Sequence, residues 1–176
     1  TNGAFFVGGN TTLNGTTTVI SGTGNASFNR TVDGNFGLTV NSSGTTLFNG
    51  IVGGTTALVS LTTDAPGNTT LTANASTNGN MTLNDNVTLN GTYTTTNNAF
   101  LAAGTTTLAG ATTVSTGAGN ITFTGAVDGG QTLAANSTGA TTFSAAVGAG
   151  SALTSLTTDA GGTSSVVAIG TRPDGE

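Results

Sequence analysis

The sequence predicts an all-β chain wound as a parallel β-helix, a β-solenoid of about nine coils of roughly 20 residues each. Three observations predict it. The chain repeats itself at an offset of 95 residues, its large apolar residues recur with a finer period of 20, and its strands read as short apolar–Thr–apolar alternations bounded by Gly and Asn. A period near 20 marks an architecture in which each coil buries its apolar side only against its neighbours.

The long repeat is plain. GTGNASFNRTVDGNFGLTVNSSG (22–44) aligns without gaps on GAGNITFTGAVDGGQTLAANSTG (117–139), and ALVSLTTDAPG (57–67) aligns on ALTSLTTDAGG (152–162). TNGAF (1–5) answers TNNAF (96–100). The expected organisation is a single solenoid over 1–176, built from one copy over 1–95 and a shorter second copy over 96–176.

Within each copy, residues 20 apart are expected to stack as core ladders. In the first copy these are Phe28 with Phe48, Val32 with Val52, and Leu38 with Leu58. In the second they are Phe123 with Phe143, Val127 with Val147, and Leu133 with Leu153. On that period the 95-residue unit makes about five coils.

The strands follow from the alternation. In Leu38-Thr39-Val40, Met81-Thr82-Leu83, Val87-Thr88-Leu89 and Ile121-Thr122-Phe123 the apolar residue at every second place faces inward and Thr faces outward. Thr is itself a good strand former. Turns are signalled by Asn14-Gly15, Asp33-Gly34, Asn49-Gly50, Asn90-Gly91 and Asp128-Gly129, residues that tolerate sharp corners. No segment carries a helical apolar stripe.

Composition narrows the function. Only 5% of residues are charged, against about 25% in an average soluble domain. Lys, His, Cys and Trp are absent, and the only cations are Arg30 and Arg172. A net charge of -5 with so little basic character excludes nucleic acid as a partner. It also gives no attraction to anionic lipid. No apolar run approaches the ~20 residues of a membrane-spanning helix, so membrane insertion is not expected. Residues 1–9 lack the basic start of a signal peptide, so if the protein is exported its signal is expected to have been removed or to lie upstream.

NITFTGAVDGGQTLAANSTGATTF (120–143) and its counterpart NASFNRTVDGNFGLTVNSSGTTLF (25–48) resemble repeats of filamentous-haemagglutinin-like bacterial β-strand-repeat proteins, a group that includes large adhesins and autotransporter passengers. The resemblance implies a right-handed helix, an extracellular or cell-surface location in a bacterium, and a role in adhesion or matrix building. The general preference for right-handed parallel crossovers agrees with that hand. The family offers no catalytic residues to carry over.

Catalysis has little to draw on. The acids are Asp33, Asp64, Asp85, Asp128, Asp159, Asp174 and Glu176. Asp33 and Asp128 are repeat equivalents, as are Asp64 and Asp159, so neither pair is expected to converge on one groove as a carboxylate-pair enzyme requires. With no His or Lys there is no nucleophile–base arrangement, and the chain is read as a non-enzyme without a cofactor. Single acids per turn do not make a calcium site, which needs several oxygen ligands. Thr triplets at 16–18, 94–96 and 105–107 raise ice binding, but their positions drift along the chain. Asn-x-Ser/Thr occurs twelve times, and Asn10, Asn25, Asn74 and Asn120 are taken as candidate glycan acceptors.

Two functions of different kinds remain. The first is an extracellular structural rod, a filament subunit or adhesin stalk, joined head-to-tail or through covalent neighbouring repeats. Its candidate junction residues are Phe5, Phe6 and Val7 at one end and Val166, Val167, Ile169 and Arg172 at the other. The second is a surface-binding module whose Thr/Asn-rich face holds a carbohydrate, a host surface or ice. With the Phe ladder buried, few aromatic platforms are left for sugar stacking.

Overall fold

The computed structural model describes residues 2–170, an all-β chain whose strands pair in parallel to form a solenoid. Each coil is a three-sided turn. The first coil shows the plan, with Phe5–Val7 on a first face, Thr11–Thr12 on a second and Thr17–Gly22 on a third. The next coil lays Ala26–Phe28, Val32–Asp33 and Gly37–Ser42 against these three in turn. Pairing consecutive coils this way satisfies the backbone groups that a single turn would leave open.

Following the inward residues of the first face gives Phe5, Ala26, Thr46, Thr69, Val87, Thr106, Val127, Val147 and Ile169 in register. The described residues therefore form eight coils and open a ninth at Ile169. The expected coil of 20 is slightly short, because actual steps between paired residues range from 18 (Thr69 to Val87) to 23 (Thr46 to Thr69). At the strand spacing the stack is about 40 Å long.

Period-two alternation is realised almost everywhere. Met81–Leu83, Phe100–Ala102 and Ile121–Phe123 each bury their outer residues and leave the middle one half-buried. The interior is one continuous apolar column containing Phe28, Phe48, Tyr93, Phe100, Phe123 and Phe143. Burial of such side chains contributes about 1.5–3 kcal/mol each, and in a chain this poor in charge it is the dominant stabilising term.

Four of the six expected ladder steps are seen in register: Phe28 lies on Phe48, Phe123 on Phe143, and both Val32–Val52 and Val127–Val147 are paired. The leucine steps are different. Leu38 stacks on Leu61, not Leu58, and Leu133 stacks on Leu156, not Leu153. The cause is a loop. Val52 and Leu58 pair with Ala75 and Thr77, so the intervening residues Gly53–Ala57 are pushed out of the coil. Leu58 still reaches the core, and Leu153 packs half-buried against it.

That loop is held from the coil below. The Asp33 carboxylate accepts the backbone N–H of Thr55 at 2.8 Å and of Thr56 at 3.1 Å. Asp128 does the same for Gly150 at 2.8 Å and Ser151 at 3.0 Å. Gly53 and Gly148 turn the two loops with φ of 67° and 73°, a region costly for other residues. The twin geometry shows that the 95-residue copies fold alike.

They do not, however, face alike. Phe28 lies on the first face in the second coil, whereas its equivalent Phe123 lies on the third face in the sixth. Val32 on the second face maps to Val127 on the first, and Leu38 on the third maps to Leu133 on the second. The repeat therefore advances by four coils and two further faces, not by the expected five whole coils. Each copy is turned by a third of a revolution relative to the one before.

Candidate functional site

Three features of the surface bear on function: the two ends, the outer row of the third face, and the corners.

At the amino-terminal end, Phe5–Val7 pairs among the described residues with Ala26–Phe28 alone. Phe5 and Val7 are half-buried, and Phe6 is 66% exposed. At the other end Thr163–Ile169 pairs among the described residues with Ala140–Val147 alone. Val166 lies half-buried on Phe143, while Val167 is 70% and Ile169 is 65% exposed. Among the described residues, both ends of the stack thus present unpaired strand edge together with apolar side chains. Arg172, the remaining candidate junction residue, lies outside the described residues.

The third face carries a ladder that the sequence hides. Its central outward positions are, in register, Thr18, Thr39, Thr62, Thr82, Leu101, Thr122, Thr142 and Ser165. Along the chain these residues drift, because the coils differ in length. In space they form one file of hydroxyls and methyls at the strand spacing of about 4.8 Å, broken only at Leu101.

The corners explain five of the twelve Asn-x-Ser/Thr tripeptides. Asn25, Asn74, Asn80, Asn86 and Asn120 each open a strand, and each Oδ1 accepts a backbone N–H from the next coil. The donors are Thr45 at 2.9 Å, Thr92 at 2.8 Å, Ala99 at 3.0 Å, Thr105 at 3.0 Å and Ala140 at 2.9 Å. The residue that follows each Asn points into the core and the one after it, Ser or Thr, points out. A clamping Asn, an inward residue and an outward hydroxyl spell Asn-x-Ser/Thr. The fold's own strand-opening pattern thus generates these tripeptides on all three faces. Of the candidate glycan acceptors, Asn25, Asn74 and Asn120 are such clamps with exposed side chains, and Asn10 is an exposed corner residue of the first coil.

Among the described residues most carboxylates serve separate structural contacts, with Asp64 near enough to Asp85 to act on it; Asp174 and Glu176 lie outside the described residues. Asp33 and Asp128 hold loops, as described. Asp64 and Asp159 accept the backbone N–H of Ser42 at 2.7 Å and of Ser137 at 3.0 Å. Asp85 is the exception. It is buried, its Oδ2 accepts the Thr69 hydroxyl at 2.6 Å, and its Oδ1 has no partner. Burial pushes its carboxyl up to about 6; the Thr69 bond opposes this and the neighbouring Asp64 charge adds to it. Tyr93 is fully buried, accepting the Asn90 N–H at 2.9 Å and donating to the Leu71 carbonyl at 3.2 Å. Burial raises its phenol above the ordinary value. Among the described residues no three His, Cys, Asp or Glu side chains gather as a metal group would require.

No family model matches the chain, and no curated protein or solved structure matches it either. The class defined by the fold is that of the β-solenoid repeat proteins.

Proposed function

We propose that the chain is a non-enzymatic structural rod of the cell exterior, a segment of a head-to-tail filament or of an adhesin stalk of the kind its bacterial resemblance suggests. The observation that carries this reading is the pair of open ends. An unpaired edge with Phe6 at one end, and with Val167 and Ile169 at the other, is an aggregation hazard unless a matching edge covers it.

The geometry of such a joint follows from the winding. The last described strand residue on the first face is Ile169. A second copy continues the spiral if its Phe5–Val7 strand lies over Ser155–Thr158 on the second face. Its Thr17–Gly22 strand then lies over Ile169. Each subunit is turned by a third of a revolution and advanced by about 40 Å, a heterologous contact that does not close and so yields a fibre. Electron microscopy at rising protein concentration tests this. Unbranched fibres with that axial repeat support it, and isolated short rods at every concentration refute self-assembly.

A second reading, a surface-binding module, is favoured by the hydroxyl file on the third face. Its test is co-sedimentation with insoluble polysaccharide and partition into growing ice, comparing the parent chain with Thr62→Tyr and Thr82→Tyr. Loss of binding in both variants supports it, and no binding by the parent chain in either assay removes it.

A further inference from the structure

The corner between the first and second faces of coils one to three forms a groove of ≈ 580 Å³, lined by Gly8, Asn10, Asn29, Arg30, Thr31, Asn49 and Gly50. Its lining holds no carboxylate, and Arg30 is the sole cation among the described residues of a chain of net charge -5. Asn10 and Arg30 are exposed from the first and second coils, and Asn49 from the third. The Oδ1 of Asn49 lies 3.2 Å from the Thr72 hydroxyl, which also lies within reach of the Phe48 and Asn49 carbonyls, and both Asn49 amide hydrogens are without a protein acceptor among the described residues. Together with the guanidinium, the groove is a row of polar side chains at successive coils with no acid in its own lining; Asp33 lines the adjoining hollow, where its Oδ1 already accepts the Thr55 and Thr56 N–H groups.

The twin corner sharpens the point. Ninety-five residues on, Asn10, Asn29, Arg30, Thr31 and Asn49 become Thr105, Thr124, Gly125, Ala126 and Ser144. The neighbouring structural residues do not change: Asn25, Phe28, Val32 and Asp33 recur as Asn120, Phe123, Val127 and Asp128. The backbone is also alike, since Asn29 donates to the Val7 carbonyl at 2.9 Å and Thr124 to the Ala102 carbonyl at 2.9 Å. The solenoid therefore builds this corner without any amide or cation. The donors of the first copy are surplus to the fold.

We propose that this groove binds a carboxylate-bearing saccharide. Arg30 takes the carboxylate in its planar fork, and the Asn29 and Asn49 amides donate to ring and hydroxyl oxygens on adjoining units. No aromatic ring belongs to the lining, and the exposed Phe6 ring borders it only at Gly8, so the charge rather than stacking is what discriminates. This site is independent of the open ends, and its success or failure leaves the rod reading untouched.

The test is titration of the folded chain with a short uronic-acid oligomer and with the neutral oligomer of the same length, followed by backbone amide shifts. The expected result is saturable shifts confined to residues 8–10, 29–31 and 49–50 with the uronate, and none with the neutral oligomer. Arg30→Gln weakens the uronate by about tenfold, the worth of roughly one charge-assisted contact, while Arg30→Lys retains part of the affinity. A circular-dichroism melt of each variant establishes that the chain is still folded. Equal binding of the neutral oligomer, unchanged uronate binding by folded Arg30→Gln, or equal displacement by inorganic sulfate overturns the proposal.

Discussion

Phe28 and Phe48 stack with ring centroids 5.0 Å apart and planes 9° from parallel, and 95 residues later Phe123 and Phe143 repeat that contact at 5.1 Å and 2° on another face. The ring stack is a property of the local sequence and does not depend on which side of the solenoid carries it. Phe48→Ala and Phe123→Ala should each lower stability by about 3–5 kcal/mol in urea titrations. A loss confined to one of the two would show that the faces are not equivalent.

The strand-opening asparagines act through an acceptor oxygen. Asn80→Asp, which keeps that oxygen, should be close to neutral. Asn80→Ala leaves the Ala99 N–H without its partner and should cost about 1 kcal/mol. Hydrogen exchange at Ala99 should quicken in the alanine variant only.

Asp85 makes stability depend on pH in an unusual direction. Its carboxyl is held at about 6, above the ordinary value of 3.8, so the fold favours the protonated acid. The contribution is fully present below 3.8 and is lost as pH rises through about 6. Asp85→Asn should flatten this fall and leave the chain roughly 1 kcal/mol more stable than the parent at neutral pH. Melting temperatures from about pH 4 to about pH 8, spanning both titrations, would reveal it, and parallel curves for the two proteins would rule it out.

Gly53 turns the outward loop at φ 67°, and a Cβ there would meet the Ser76 carbonyl oxygen at 2.2 Å. Gly53→Ala should therefore destabilise by more than the roughly 1–3 kcal/mol of backbone strain alone. Gly9→Ala, with nothing within 4 Å, should be silent in the same thermal melts.

The sequence made the solenoid legible because its inward residues are large, apolar and regularly spaced, and because Gly and Asn mark the corners. Phe28, Val32 and their partners could be paired from spacing alone, since no insertion separates them. Leu38 and Leu58 could not, because Gly53–Ala57 leaves the coil between them without a change of composition to announce it. The same variation in coil length hid the third-face file, from Thr18 to Ser165, which only register brings into line. The Arg30 groove lies at a bend whose lining comes from three separate stretches. Its one sequence signal was the departure of Asn29-Arg30-Thr31 from Thr124-Gly125-Ala126 within an otherwise faithful repeat.

The third-of-a-revolution offset between the copies bears on how such a chain lengthens. A tandem duplication need not span whole coils to give a foldable product. It need only add a whole number of strands, because each side accepts the same clamp, inward residue and outward hydroxyl. Descendants can therefore gain or lose stretches as short as one side of the triangle and still close their ladders. Each added copy of the 95-residue unit would carry its surface variations to the next side, so that a third copy completes the circuit and a single inherited motif is displayed in every direction around the rod.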